Sequence, residues 1–417
     1  LRIPRTFKRW LGLLSVAAAT AMLVTACGGG DDNNGGGGGN GGGSSVSDGN
    51  TANTAVITVG TGVAHVINIP TVNVKICVPG TTNCQVVNNV LVDTASYGLR
   101  LVSSALSSGV LNNLPQTTSG GAPVAECGKF VSSFTWGSVR TVDLSIGTEQ
   151  AGSLPVQIIG DLGTSNVPGS CSNNGARTSA NTAGDLGANG ILGIGPAPVD
   201  CGTSCATSTS ATSNNYYACP NGNSSCAVAL VPVAQQVANP VHRFATDNNG
   251  VIVQMPSISN NGQGSATGLL TFGINTQSNN ALGASTVLTS TTTGDVDATF
   301  LGGSVTAFFD TGSNAYFFND SAQKACSTNT QFYCPSSTTT YTATLTGRNG
   351  ASGGVSMPVA NADALFANPS TFAFNDIAGP FGAAGWLDIG MPHFYGKTIY
   401  FGMDRTGSGG AQPYVAF

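Results

Sequence analysis

Charge is scarce in this sequence. Charged residues make up 8% of its 417 positions, against roughly 25% in ordinary soluble proteins. With 14 Lys and Arg against 19 Asp and Glu, the formal net charge is −5. That supplies no basic patch able to neutralise phosphates, so nucleic acid is excluded as a partner. Histidine is rarer still. His65, His242 and His393 are far apart and share no spacing, which indicates neither a metal site nor a base for a nucleophile. Long amphipathic helices are missing too, and only Leu101 to Leu111 and Ala360 to Ala367 read as short helical candidates. Gly350-Ala351-Ser352-Gly353-Gly354 matches a nucleophile elbow literally. It lies in a Gly-rich loop with no helix signal after it, so it reads as a turn.

Small residues fill the space that charge leaves. Gly reaches 58 residues, with Ser, Thr and Asn abundant, and apolar runs such as Ala55 to Val59, Val63 to Ile69, Val86 to Val92, Val139 to Ile146 and Leu154 to Ile159 lie between clusters of turn formers. The class expected is all-β with minor helix. The length suits two lobes plus a terminal extension, drawn here as residues 51–240 and 241–417.

The extension has its own logic. Arg2, Arg5, Lys8 and Arg9 precede an apolar run from Trp10 to Val24, the pattern of a signal peptide over residues 1–26, and the run is short for a membrane span. Leu23-Val24-Thr25-Ala26-Cys27 resembles a bacterial lipobox, which implies a lipid on Cys27 and, with Gly28 next, the outer membrane. Residues 27–50 are then a Gly/Asn-rich tether with nothing to bury. Of 11 cysteines, setting aside Cys27 leaves an even number, mostly in close pairs. In an exported chain this points to disulfides: Cys77 with Cys84, Cys201 with Cys205, Cys219 with Cys226, Cys326 with Cys334, and Cys127 with Cys171. Connectivity is not decided by spacing, and metal binding is the rival reading.

The most informative pattern is an internal echo. Val90-Leu91-Val92-Asp93-Thr94-Ala95-Ser96 and Ala307-Phe308-Phe309-Asp310-Thr311-Gly312-Ser313 share one plan: an apolar strand ending at Asp, then Thr, a tiny residue and Ser. One such segment is an ordinary capped turn. Two, far apart after apolar strands, suggest one Asp from each of two equivalent lobes.

At these residues the chain resembles the pepsin-like aspartic peptidases, whose motif is Asp-Thr-Gly followed by Ser or Thr. Leu99, Asn189 to Gly195, Phe134-Thr135-Trp136-Gly137-Ser138, Leu269 to Asn275, Trp386 to Phe394, Tyr400 to Arg405 and Val415 to Phe417 resemble further family blocks, in family order. The resemblance implies two β lobes of barrel type with a cleft between them and a dyad of Asp93 and Asp310. In that family the paired carboxylates do not both ionise and titrate as a unit. Thr94 and Thr311 are implied to tie the two loops together, and Ser96, Gly312 and Ser313 to support the dyad. Trp136 and Gly137 are implied to form the flap over substrate, with Arg100 beside them at the place of a family Trp.

Ala95, Arg100 and Trp136 depart from the family pattern, and the sequence suggests an Arg100 guanidinium lying over the Trp136 indole. Asp388 replaces an apolar residue and is expected to face solvent. The function expected is an aspartic endopeptidase acting on peptide or protein substrate, monomeric, without cofactor or metal, held to the membrane by its lipid. The second expectation is a binding module of the same fold that has lost hydrolysis.

Overall fold

The computed structural model describes residues 49–417. The expected signal peptide, Cys27 and nearly all of the expected tether lie outside the described residues. Alternation builds the strands. In Thr54–Val59, Ala55, Ile57 and Val59 are fully buried while Val56 and Thr58 face outward, the two-residue period of a half-buried strand. The expected all-β class holds: a larger sheet of 17 strands and a second of seven carry the chain, and the helices are single turns such as Ser108–Leu111 and Ala362–Leu365. Among the described residues no helix is long and apolar enough to cross a membrane.

Part of the larger sheet is an antiparallel ribbon. Thr54–Val59 pairs with Ala266–Phe272, which pairs with Gly250–Gln254, followed by Thr398–Gly402, Tyr414–Ala416 and Val287–Thr289. The larger sheet therefore takes strands from both sides of residue 240. The second sheet runs Ser352–Val359, Thr339–Thr346, Val296–Phe300, Gly303–Asp310, Trp386–Gly390, Tyr316–Phe318, Ala378–Gly379.

All five cysteine pairs form disulfides: Cys77–Cys84, Cys127–Cys171, Cys201–Cys205, Cys219–Cys226 and Cys326–Cys334. Four close short loops, while Cys127–Cys171 spans 44 residues and packs with Trp136, Phe134 and Tyr217.

Three local expectations are corrected. Val63 to Ile69 is not a strand: His65 and Asn68 take positive φ of 56° and 52°, which a strand does not allow. Asn68 instead serves the second lobe, its side chain donating to the carbonyls of Asn314 and Phe374 and accepting from Phe374 N and Tyr395 Oη. Leu101 to Leu111 begins in the strand Tyr97–Val102, and only its last four residues are α-helical. The helix within 360–367 is the single turn Ala362–Leu365, capped by the Asn361 side chain on Ala364 N.

Candidate active site

Two strands change character as they approach the site. Cys84–Asp93 and Gly303–Asp310 begin partly exposed and end with four consecutive buried residues, because each enters the interior between neighbours on both sides. The unbroken apolar run ahead of each Asp is the sequence trace of that burial. Each strand lies parallel to a second one, with Asp93 opposite Gly193 and Asp310 opposite Gly390. Each second strand is flanked in turn by an antiparallel third, Tyr97–Val102 in one lobe and Tyr316–Phe318 in the other. The two glycines allow close approach, since a Cβ on Gly193 would meet Tyr97 N at 2.7 Å and one on Gly390 would meet Ala315 O at 2.0 Å.

The loops after the two strands interlock. Thr94 Oγ1 donates to Phe309 O at 3.0 Å and accepts from Thr311 N at 3.1 Å. Thr311 Oγ1 reciprocates, donating to Val92 O at 2.6 Å and accepting from Thr94 N at 3.2 Å. All four bonds are buried, where each is held firmly because breaking it strands a desolvated polar group.

This grip brings the carboxylates together. A Cβ built on Gly312 would lie 2.8 Å from Asp93 Cγ and 3.0 Å from both Asp93 Oδ1 and Asp310 Oδ1. The two Oδ1 oxygens thus lie within contact of one point beside Gly312. Asp93 Oδ1 accepts from Ala95 N and Ser96 N at 2.9 and 3.1 Å, and Asp93 Oδ2 from Ser96 Oγ at 2.6 Å. Asp310 Oδ1 accepts from Gly312 N, and Oδ2 from Ser313 Oγ, both at 2.8 Å. Ala95 makes the same amide bond as Gly312 without a positive φ, so its methyl does not disturb the loop.

The cleft over the pair is walled by apolar side chains from both lobes: Leu91, Leu186, Ile191 and Phe130 on one side, Phe317, Pro380 and Phe381 on the other. A hairpin of Ala122–Lys129 and Ser133–Ile146 overhangs it, and the residues it contributes to the lining are Phe130, Ser132 and Ser133. Ser133 Oγ is buried and has no hydrogen-bond partner among the described residues.

The flap assignment is corrected. Trp136 is fully buried, donates its indole Nε1 to Asn223 Oδ1 and meets Tyr217 edge-on. Gly137 packs against the strand Glu149–Ile159, where a Cβ would strike Ile158 O at 1.8 Å. Neither lines the cleft. The chain turns before Trp136, with Cys127 opposite Trp136 in the ladder, so the aromatic nearest the tip is Phe130. Arg100 is not over Trp136 either. Its guanidinium carbon sits 5.8 Å from the centre of the Phe130 ring, a cation–π contact made from inside the protein. Its Nη2 pairs with Glu126 Oε1 at 2.6 Å and with Asp200 at 3.7 Å, and its Nη1 donates to Tyr97 O. Burial works against the charge on Arg100, but Glu126 and Asp200 outweigh it and raise the pKa. Arg100 thus supports the hairpin aromatic and does not reach the cleft.

Asp388 is also corrected. It is 0% exposed and its Oδ2 lies 2.7 Å from Ser313 Oγ. Phe130, Ser133 and Asp388 escape a motif reading because no fixed spacing ties them to either Asp.

These features define an all-β, two-lobed protein in which one Asp from each lobe faces a shared apolar cleft. The chain belongs to the family described as "Protein of unknown function (DUF3443)", whose model matches residues 49–417. No curated protein matches the sequence. Among solved structures the chain is similar to the aspartic proteinase from Irpex lacteus, at 14% identity and a TM-score of 0.47, over 87% of this chain and 97% of that one.

Proposed function

We propose that this protein is an aspartic endopeptidase of pepsin-like type. The observation that carries the reading is the convergence of Asp93 and Asp310 beside Gly312, held by the reciprocal Thr94 and Thr311 bonds. A water between the carboxylates is deprotonated by one of them as it attacks the peptide carbonyl, while the other donates a proton to the carbonyl oxygen. As the C–N bond breaks, the carboxyl that took the water's proton gives it to the leaving nitrogen and the other carboxylate takes its proton back from the diol, so the dyad is restored and no covalent intermediate forms. Apolar walls exclude bulk water and accept apolar side chains of an extended peptide, with Phe130 covering it. The leader and Cys27 support a further part of the proposal, an exported lipoprotein whose Gly/Asn-rich tether holds the enzyme at the membrane.

The test is digestion of a denatured protein at acidic pH. Hydrolysis is expected, blocked by pepstatin and lost in Asp93→Asn and in Asp310→Asn. Hydrolysis that persists in both variants would overturn the assignment, and a folded protein with no hydrolysis would make the cleft a peptide-binding site.

A further inference from the structure

Ser313 stands between two carboxyl groups. Its Oγ is 2.8 Å from Asp310 Oδ2 and 2.7 Å from Asp388 Oδ2. A hydroxyl donates one proton and accepts through its lone pairs. Both contacts are therefore hydrogen bonds only if one carboxyl carries a proton of its own and donates it to Ser313.

The other lobe provides an internal comparison. Asp388 stands opposite Phe308 in the parallel ladder, as Ile191 stands opposite Leu91. Ser96 meets Asp93 as Ser313 meets Asp310, yet the place that holds Ile191 in the first lobe holds a carboxyl in the second. The site is thus asymmetric at this position.

We infer, on the aspartic peptidase reading above, that Asp388 is a positioning residue for the Asp310 half of the dyad. It carries a proton and donates it to Ser313 Oγ, which commits the Ser313 hydroxyl proton to Asp310 Oδ2. Two observations place the proton on Asp388. It is wholly buried and flanked in register by Phe308 and Phe317, where desolvation disfavours a charge. Asp310 already accepts from Gly312 N on its other oxygen, the acceptor's part in this arrangement.

The ionisable groups on the flanking segments are Asp310, Tyr316, Asp376 and His393. Burial lowers His393 to about 3, with Lys397 adding to the effect, so the imidazole is neutral over the working range. Burial and Asp376 raise Tyr316, which stays neutral as well. When Asp388 ionises, Ser313 turns its proton toward it and Asp310 loses its outer donor. Activity then falls on the alkaline side through a group outside the dyad.

The experiment compares pH profiles of kcat and kcat/KM for the wild type, Asp388→Ile and Asp388→Asn, together with infrared spectra of each. Asp388→Ile, which copies the first lobe, is expected to lower kcat about tenfold, the scale of one lost hydrogen bond. Asp388→Asn donates an amide proton to Ser313 at every pH, so it recovers most of that loss and extends activity to higher pH. A protonated-carboxyl carbonyl band is expected in the wild type at neutral pH and is lost in Asp388→Asn. A folded Ile variant with the wild-type profile, or spectra of wild type and Asn variant that do not differ in that band, overturns the inference. If the band behaves as expected but the wild type hydrolyses nothing, the proton placement stands and the peptidase reading falls.

Discussion

Thr94 and Thr311 hold each other's loops: each hydroxyl accepts the other's backbone amide and donates to the carbonyl preceding the opposite Asp. Neither bond pair exists without the other lobe, so dyad geometry and lobe association are one structural event. In Thr94→Val and Thr311→Val, buried amides and carbonyls are left unpaired. Each substitution is expected to cost about 1–3 kcal/mol per stranded group and to lower kcat. The double variant should cost less than the two singles added, because they share a network. Denaturant unfolding of the set measures the coupling, and strict additivity would dissolve the grip as a unit.

Gly312 and Ala95 occupy equivalent places with unequal freedom. A Cβ at position 312 would sit 2.8 Å from Asp93 Cγ, closer than carbon atoms pack. Gly312→Ala is expected to push the carboxylates apart and abolish hydrolysis, whereas Ala95→Gly keeps it. Steady-state rates for the two variants decide the point, and equal losses would count against the asymmetry.

Phe130 and Trp136 separate cleft from core. Phe130→Ala is expected to raise KM with little change in Tm, since the ring lies at the cleft. Trp136→Ala opens a cavity beside the Cys127–Cys171 disulfide and is expected to cost about 3–5 kcal/mol. Kinetics and thermal melts on the same preparations should show opposite patterns.

The stability of the fold is expected to fall as pH rises through mild acid. Glu149 is 4% exposed; burial first, then the neighbouring Asp247, raises it from 4.5 to about 7. Between those values the folded chain binds more protons than the unfolded one, so its contribution is full below about 4.5 and is lost as pH passes about 7. Tm measured from pH 4 to 8, with Glu149→Gln flattening the slope, checks the sign. A slope that survives in Glu149→Gln would assign the effect elsewhere.

Much of this was legible in the chain. The period-two runs, the four closely spaced cysteine pairs and the repeated Asp-Thr-tiny-Ser turns are local patterns, and local sterics and burial write them directly into sequence. The misplacements share a cause. Val63 to Ile69 looks like a strand because it is apolar, yet Asn68 turns out of extended geometry to bond the far lobe. Trp136 sits in a flap-like string, but the ladder that pairs it with Cys127 sets the hairpin tip earlier and hands the cleft to Phe130.

What the sequence determined by itself is that two equivalent turns each carry an Asp. That followed from a repeat readable along the chain. Which side chains surround those carboxylates was decided only in three dimensions, by strand register and by contacts between distant segments. Asp388 shows the difference most clearly. Along the chain it is an isolated charge between Leu387 and Ile389; in the fold, parallel pairing with Gly303–Asp310 buries it against Ser313 and makes it part of the site.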